Sequence, residues 1–474
     1  MNSKNNTNIN WLNIISNEEF QKYLDLDLVK EVSMISKLTR EKLNPLLFKY
    51  IILIPYCFDI KFNIKNNIFD EYFNHKYYGV VDYNVSSEVM HFSIDSGLKG
   101  LDLALSNIKQ YAKSFNISDV KKAGYYLLPL VNIFCNLTKL KLESCIILYN
   151  EFFKLGESLP NLRQIELIRV TFIKLSTVSV PLDCFVLPRK LYYLSICHCA
   201  IANTDFMPYP CKFLFNYSIR FPRSNFIIPK IKAYSLKKLK FLSDSVQDSG
   251  LKEFLDINPN LESLKINSLY SNITYSLKSL QGLEINTVTD FDNDVHISTF
   301  DSVTMLKVGR TYMEYGDDNT DLKRFCLKFS NLKDLELDVY NYDELRTLSD
   351  KFLYKILSNL PKLKTLRLEI GKDIFASLNL FSDDESENDR EDNINMEDIF
   401  DISSFNNIEN LYLTANSNIL FNTNFEDCKS LKQIKFCTSS DRVNTEEFLR
   451  KFKGYKNWYF KFTLHTIYGI KLSK

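Results

Sequence analysis

Leu159-Pro-Asn-Leu-Arg-Gln-Ile-Glu-Leu167 is the stretch whose pattern decides the architecture. Leu162, Ile165 and Leu167 are spaced by three and then two. In an extended chain Ile165 and Leu167 share one face, while Gln164 and Glu166 take the other. The block recurs at Leu137-Leu140-Leu142, Leu191-Leu194-Ile196, Leu236-Leu239-Phe241, Leu261-Leu264-Ile266 and Leu280-Leu283-Ile285. It continues at Val303-Leu306-Val308, Leu332-Leu335-Leu337, Leu363-Leu366-Leu368, Ile408-Leu411-Leu413 and Leu431-Ile434-Phe436, with a weaker copy at Leu214-Tyr217-Ile219. Most steps lie between about 19 and 31 residues, room for one short strand and its return. One such unit cannot bury its apolar pair alone, so successive strands stack as a parallel sheet over a continuous core.

A helical half precedes many blocks, as at residues 151–158, 250–257 and 343–359. Each of these runs into Leu-Pro-Asn-Leu162, Asn-Pro-Asn-Leu261 or Leu-Pro-Lys-Leu363, and proline disfavours helical geometry in its predecessor, which ends the helix. Over about residues 137–436 the chain resembles irregular leucine-rich-repeat proteins. The resemblance implies an α/β solenoid with a curved parallel sheet and outer helices. The asparagine usual after the strand is mostly missing; Leu142 is followed by Glu-Ser-Cys145, a cysteine-type variant.

The chain, at 474 residues, is too long for one simple core, and its 45% hydrophobic and 25% charged content is that of a globular protein. Lys+Arg total 59 against Asp+Glu 58, so no global field draws in nucleic acid or a membrane surface. Ten scattered cysteines define no disulfide framework. The opening MNSKNNTNIN has no apolar core of a signal peptide, and runs such as residues 50–57 are too short to span a bilayer. The expected compartment is therefore reducing, cytoplasmic or nuclear.

Residues 10–50 form a separate candidate module. Phe20 and Leu24 lie four apart, and Leu28, Val32 and Ile35 follow an i, i+4, i+7 stripe. The run Tyr23-Leu-Asp-Leu-Asp-Leu-Val-Lys-Glu-Val-Ser-Met-Ile-Ser36, continued by Lys37-Leu-Thr-Arg40 and Leu43-Asn-Pro-Leu-Leu-Phe48, resembles an F-box. Thr39 replaces the usual aromatic, and Asn13 stands where the family has its early proline. The resemblance implies docking onto a Skp-type adaptor of a cullin ubiquitin ligase, through Leu12, Phe20, Leu24, Leu28, Val32, Ile35, Leu38 and Leu46. The alternative is a plain helical cap on a non-catalytic scaffold, since a solenoid needs its first repeat covered. Residues 51–130 link the module to the repeats; they contain an amphipathic helix over 97–111, a short strand at Phe115-Asn-Ile117, and one or two degenerate early repeats. The solenoid proper runs over 131–474.

Catalytic signals are absent from the sequence. The five histidines stand at no metal or triad spacing. Cys197-His-Cys199 has no second pair to complete four zinc ligands, and is expected to bury Cys199 and expose His198. Neither a glycine-rich phosphate loop nor a nucleophile elbow occurs. The chain is thus read as a non-enzyme without cofactor that binds a client protein, and not nucleic acid or a membrane. Client contacts are expected from the variable positions of each strand block, which line the concave face: Lys139, Lys141, Tyr193, Lys238, Lys240, Lys265, Lys364, Arg367 and Tyr412. Lysine dominates that set, which points to an acidic or phosphorylated client. The step from Leu363 to Ile408 is 45 residues (408 − 363) because of an acidic insertion, and residues 381–399 are expected to be disordered. Within it Ser382 and Ser386 each have an acid three positions on, a pattern suited to acidophilic kinases.

Overall fold

The computed structural model describes residues 14–15, 17–21, 23–54, 87–121, 124–175, 186–204, 223–243, 249–269, 279–287, 299–312, 320–340, 353–371, 400–402, 405–426, 428–438 and 442–472. The chain divides into two compact units, Met1–Asn258 and Pro259–Lys474.

The first unit opens with helices α1 (Glu18–Gln21), α2 (Leu26–Met34) and α3 (Lys37–Leu47). Asp25 caps α2 by accepting from the Leu28 amide, and Ser36 caps α3 by accepting from the Thr39 amide. Each cap satisfies a donor that the helix start leaves unpaired, which fixes both boundaries. A further helix, α4, covers Ser87–Ser106. It begins upstream of the 97–111 stretch expected from sequence, and among its described side chains Ile94, Leu101 and Leu105, seven and four residues apart, are buried. Strands β1 (Tyr50–Leu53), β2 (Ser114–Lys121), β3 (Lys139–Leu148), β4 (Gln164–Ile168), β5 (Thr171–Leu175), β6 (Tyr193–Cys197), β7 (Ala200–Thr204), β8 (Arg223–Asn225) and β9 (Lys238–Leu242) follow.

β1, β2, β3, β4, β6 and β9 pair in that order, every neighbour parallel. Ile117, Leu142, Leu167, Ile196 and Phe241 are aligned across that ladder, and Phe115, Leu140, Ile165, Leu194 and Leu239 form the companion row. All ten are buried. A second ladder joins the end of β3 to β5 and β5 to β7, both parallel, and β8 closes it antiparallel to β7. The chain turns between the two ladders at Asp119, Ser144, Arg169 and His198, all with φ between 49° and 58°. These residues recur at one position of the repeat, just ahead of buried Val120, Cys145, Val170 and Cys199. His198 is exposed and Cys199 buried, as expected from sequence.

Behind the ladders, residues 151–158 fall into two short helices, Tyr149–Phe153 and Leu155–Ser158, where the sequence suggested one. Phe152 packs on Phe172 at 5.4 Å, and Phe172 on Phe226 at 4.9 Å, filling the layer behind the strands. Gly250, with φ of 69°, precedes the helix Leu251–Ile257; a Cβ there would lie 2.3 Å from the Ile228 carbonyl oxygen. Asparagines bracket successive repeats: Asn136 and Asn161 donate to the carbonyls of Gln110 and Cys135. Asn258 is buried yet satisfied, accepting from the Ala233 amide and donating to Ile231 and Phe254 carbonyls.

The second unit repeats this logic. β10 (Ser263–Ile266), β11 (Gly282–Ile285), β12 (Met305–Tyr312), β13 (Asp334–Tyr340), β14 (Thr365–Gly371), β15 (Phe400–Asp401), β16 (Asn410–Thr414), β17 (Thr423–Asn424), β18 (Gln433–Cys437), β19 (Trp458–Phe462) and β20 (Thr466–Lys471) are its strands. β10 to β14, β16 and β18 pair in order, all parallel, whereas β15 pairs only β17 among the described residues. Leu264, Leu283, Leu306, Leu335, Leu366, Leu411 and Ile434 form one inward row, each no more than 3% exposed. A buried leucine contributes about 1.5–3 kcal/mol, so these rows hold the stack. Helix Glu446–Lys453 and the antiparallel pair β19–β20 then close its end, β20 pairing with β18. Phe452 lies at the centre of that closure, 5.0 Å from Phe460 and 6.2 Å from Phe436.

All eleven sequence triplets that fall on described residues thus feed parallel strands in register. That arrangement is an α/β leucine-rich-repeat solenoid. The weaker block at Leu214-Tyr217-Ile219 lies outside the described residues, as do the acidic stretch 381–399 and, before the Tyr354–Leu357 helix, residues 343–352.

Candidate protein-binding surfaces

Alternation along each strand turns one residue outward for every core residue. In the first unit the two outward rows read Tyr50, Ser114, Lys139, Gln164, Tyr193, Lys238 and Ile52, Asn116, Lys141, Glu166, Ser195, Lys240. Lys139 pairs with Glu166 across strands at 2.7 Å. Lys141 pairs at 2.6 Å with Glu143, which also meets Arg169 at 3.4 Å. The Lys141 hydrogen bond, outweighing partial burial, holds the Glu143 carboxyl below its usual range. Lys238 lies 5.7 Å over the Tyr192 ring. Burial raises the Tyr193 hydroxyl above its ordinary range, outweighing a hydrogen bond with Ser195. Lys240 forms no ion pair among the described residues, and Ser195 is buried although it belongs to the outward row.

In the second unit the central outward row reads Lys265, Glu284, Lys307, Glu336, Arg367, Tyr412, Lys435, Tyr468. Its first half is a ladder of alternating charge: Lys265 bonds Glu284 at 2.5 Å, and Lys307 bonds Glu336 at 2.5 Å. Desolvation pulls the Lys307 ammonium down, but the Glu336 hydrogen bond and surrounding acids win and raise it. In this stretch the lysines expected to dominate the face alternate with acids. Glu284, Lys307 and Glu336 are not among the sequence candidates, although each is the residue between an apolar pair, and reading that position as a column exposes the alternation.

Further along the row the acids stop. The Arg367 guanidinium lies 4.9 Å over the Tyr412 ring and reaches Asp334 at 3.4 Å. Lys435 lies 5.5 Å over Tyr468. Lys364 forms no part of this row; it meets Glu409, which Lys432 contacts from the other side at 2.7 Å. The two lysines, Lys432 first, hold the Glu409 carboxyl low. Tyr459 and Ile470 are direct partners on the closing hairpin and stand 61% and 53% exposed beside Tyr468. The hairpin escapes the triplet search because it carries period-two alternation without a repeat.

The second candidate surface is on the N-terminal helices. Val29 and Leu43 are buried, with Ser33 and Thr39 beside them. Leu28, Ile35 and Leu38 stand 42%, 74% and 48% exposed, and Phe20, Tyr23, Leu26 and Met34 are exposed as well. Leu24, Val32 and Leu46 are half-buried; Leu12 lies outside the described residues. Ser382 and Ser386 also lie outside them.

Among the described residues no cluster of His, Cys, Asp or Glu is arranged to hold a metal ion, and no helix is long and apolar enough to cross a membrane. Burial pushes the Cys145, Cys199 and Cys326 thiols up to about 12.

No protein-family model matches the chain, and no curated protein does. Solved structures do match. A crystal structure of a TLR13–ssRNA13 complex aligns at TM-score 0.35 and 16% identity, covering 72% of this chain and 44% of that one. An internalin (inlF) from Listeria monocytogenes str. 4b F2365 aligns at 0.28 and 12% identity, covering 65% and 78%. The leucine-rich repeat domain of APL1B aligns at 0.26 and 13% identity, covering 65% and 76%. The chain thus spans less than half the length of the first of these. The strand register itself, independent of these likenesses, makes the fold a leucine-rich-repeat fold.

Proposed function

We propose that this chain is a non-catalytic receptor subunit: its N-terminal helices dock a Skp-type adaptor of a cullin ubiquitin ligase, and its outward strand face holds the client protein. Catalysis belongs to the partner enzymes, and this chain supplies proximity. The observation that carries the adaptor half is the exposed apolar face of Leu28, Ile35 and Leu38, in a chain whose repeat leucines are almost fully buried. Contiguous exposed apolar side chains mark interaction sites in soluble proteins. The client half is supported by an outward face that presents charged and aromatic side chains on a rigid ladder.

Co-expression of the full chain with a Skp-type adaptor tests the reading. A stoichiometric complex is expected, and Leu28→Asp with Ile35→Asp should abolish it while leaving the thermal melt unchanged, since neither side chain is in the core. A parent chain that purifies without adaptor contradicts the ligase role and leaves a capped protein-binding scaffold.

A further inference from the structure

We propose that the outward face of β14, β16, β18, β20 and β19 grips an acidic segment of the client in polyproline-II conformation, with a carboxylate at every third residue. The proposal deepens the preceding one and rests on its assignment of the strand face to a client. Across these five strands one row reads Arg367, Tyr412, Lys435, Tyr468, Lys461, each residue the register partner of the next. Cation and aromatic alternate strictly. On β10 to β13 the same row alternates cation with acid, and the charges neutralise one another.

That difference decides which end is free to bind. A cation over a ring keeps its charge, because the ring offers a quadrupole and not a counter-ion. Lys435 and Lys461 form no ion pair among the described residues, and Arg367 has only Asp334, at 3.4 Å. Neighbouring strands are about 4.8 Å apart, so the three cations recur every ~9.6 Å. A polyproline-II helix has three residues per turn and a rise of 3.1 Å, which returns a side chain to one face every ~9.3 Å. A bound strand repeats every ~6.8 Å and does not match. Prolines between the carboxylates, which favour this helix, would lie against Tyr412 and Tyr468, the contact by which aromatic grooves take proline-rich segments. Three cations on a chain of net charge +1 offer little for a nucleic-acid backbone.

The test uses the full chain and a fluorescein-labelled peptide of repeating Glu-Pro-Pro, read by fluorescence anisotropy. Its comparison is a block peptide of identical composition with all glutamates at one end. Saturable binding of the periodic peptide is expected, weakened by salt, and about five- to tenfold tighter than the block peptide. Arg367→Gln and Lys435→Gln should each weaken it about fivefold, the upper range for an exposed ion pair, whereas Lys265→Gln leaves it unchanged. Absence of binding, equal binding of the block peptide, or indifference to Arg367→Gln overturns the proposal. So does an oligouridylate that binds the parent chain and is lost with the same variants. Adaptor capture measured on the same preparations separates the two readings: adaptor retained without peptide binding removes this inference alone, and peptide binding without adaptor removes the ligase role alone.

Discussion

Leu335 and Glu336 are adjacent in sequence, and the structure assigns them opposite energetic weight. Leu335 is 0% exposed and lies between Leu306 and Leu366 in the inward row. Replacing it by alanine removes buried methyl groups and leaves a cavity between strands that cannot close independently, a cost of about 2–5 kcal/mol. For a folding unit of 150–250 residues each kcal/mol lowers the melting temperature by about 2–4 °C, so Leu335→Ala should lower it by roughly 4–20 °C. Glu336 faces outward and bonds Lys307, with side chains 32% and 35% exposed. An ion pair in that setting contributes no more than about 1 kcal/mol, so Glu336→Ala should move the melt by about 4 °C at most. Circular-dichroism melts of the full chain, parent and two variants side by side, measure both. A Glu336→Ala chain that melts as low as Leu335→Ala would refute the register, because a slip of one residue exchanges the faces of the whole strand.

Two further outcomes follow from partly or fully buried ionisable groups. Burial, opposed by Lys307 and reinforced by Glu369, Glu336 and Glu284, pushes the Asp338 carboxyl from 3.8 up to about 6, and its Oδ1 has no hydrogen-bond partner among the described residues. Between those two values the folded chain keeps a proton that the unfolded chain has released, so stability falls as pH rises through that window and the penalty is complete above about 6. Asp338→Asn should therefore raise the melt relative to the parent at pH 7 and make no difference below pH 3.8; a constant gap at all pH contradicts the assignment. Maleimide at mildly alkaline pH should label exposed Cys135 in the native chain, and Cys145, Cys199 and Cys326 only after denaturation, since the thiolate is the reactive form. Native labelling of Cys326 with the melt intact would contradict its burial.

The repeat was legible because its signal is local: three apolar positions per unit decide both the strand and its buried face. Leu162, Ile165 and Leu167 are each 0% exposed, and the sequence alone assigns them to the core. The outward face was legible in position but not in charge balance. Lys265 reads as a free cation in isolation and is one rung of a ladder with Glu284, 19 residues on, once the strands are aligned. The column of residues between the apolar pairs already sets Lys265 beside Glu284, but whether the two side chains meet depends on strand pairing, which spacing does not contain. The closing hairpin was missed for a related reason: Tyr459 and Tyr468 join the strand face only because β20 pairs with β18, a contact that no repeat announces. At the N-terminus the stripe Leu28, Val32, Ile35 is present, but Val29 and Leu43, one step round the helices, are the side chains that go inward. Helical periodicity defines an amphipathic face to within about one residue and does not say which neighbour covers it.

The parallel register is tested most directly by cross-linking engineered cysteine pairs with a short thiol-reactive linker and mapping the products by mass spectrometry. Lys307→Cys with Glu336→Cys places two thiols on adjacent register partners of one face, about 4.8 Å apart along the sheet. Rapid, near-complete cross-linking of that pair is the predicted result, with none for Lys307→Cys combined with Leu335→Cys, whose side chains point to opposite faces. Equal cross-linking of both pairs, or of neither, would contradict the ladder on which the fold and the outward strand face depend.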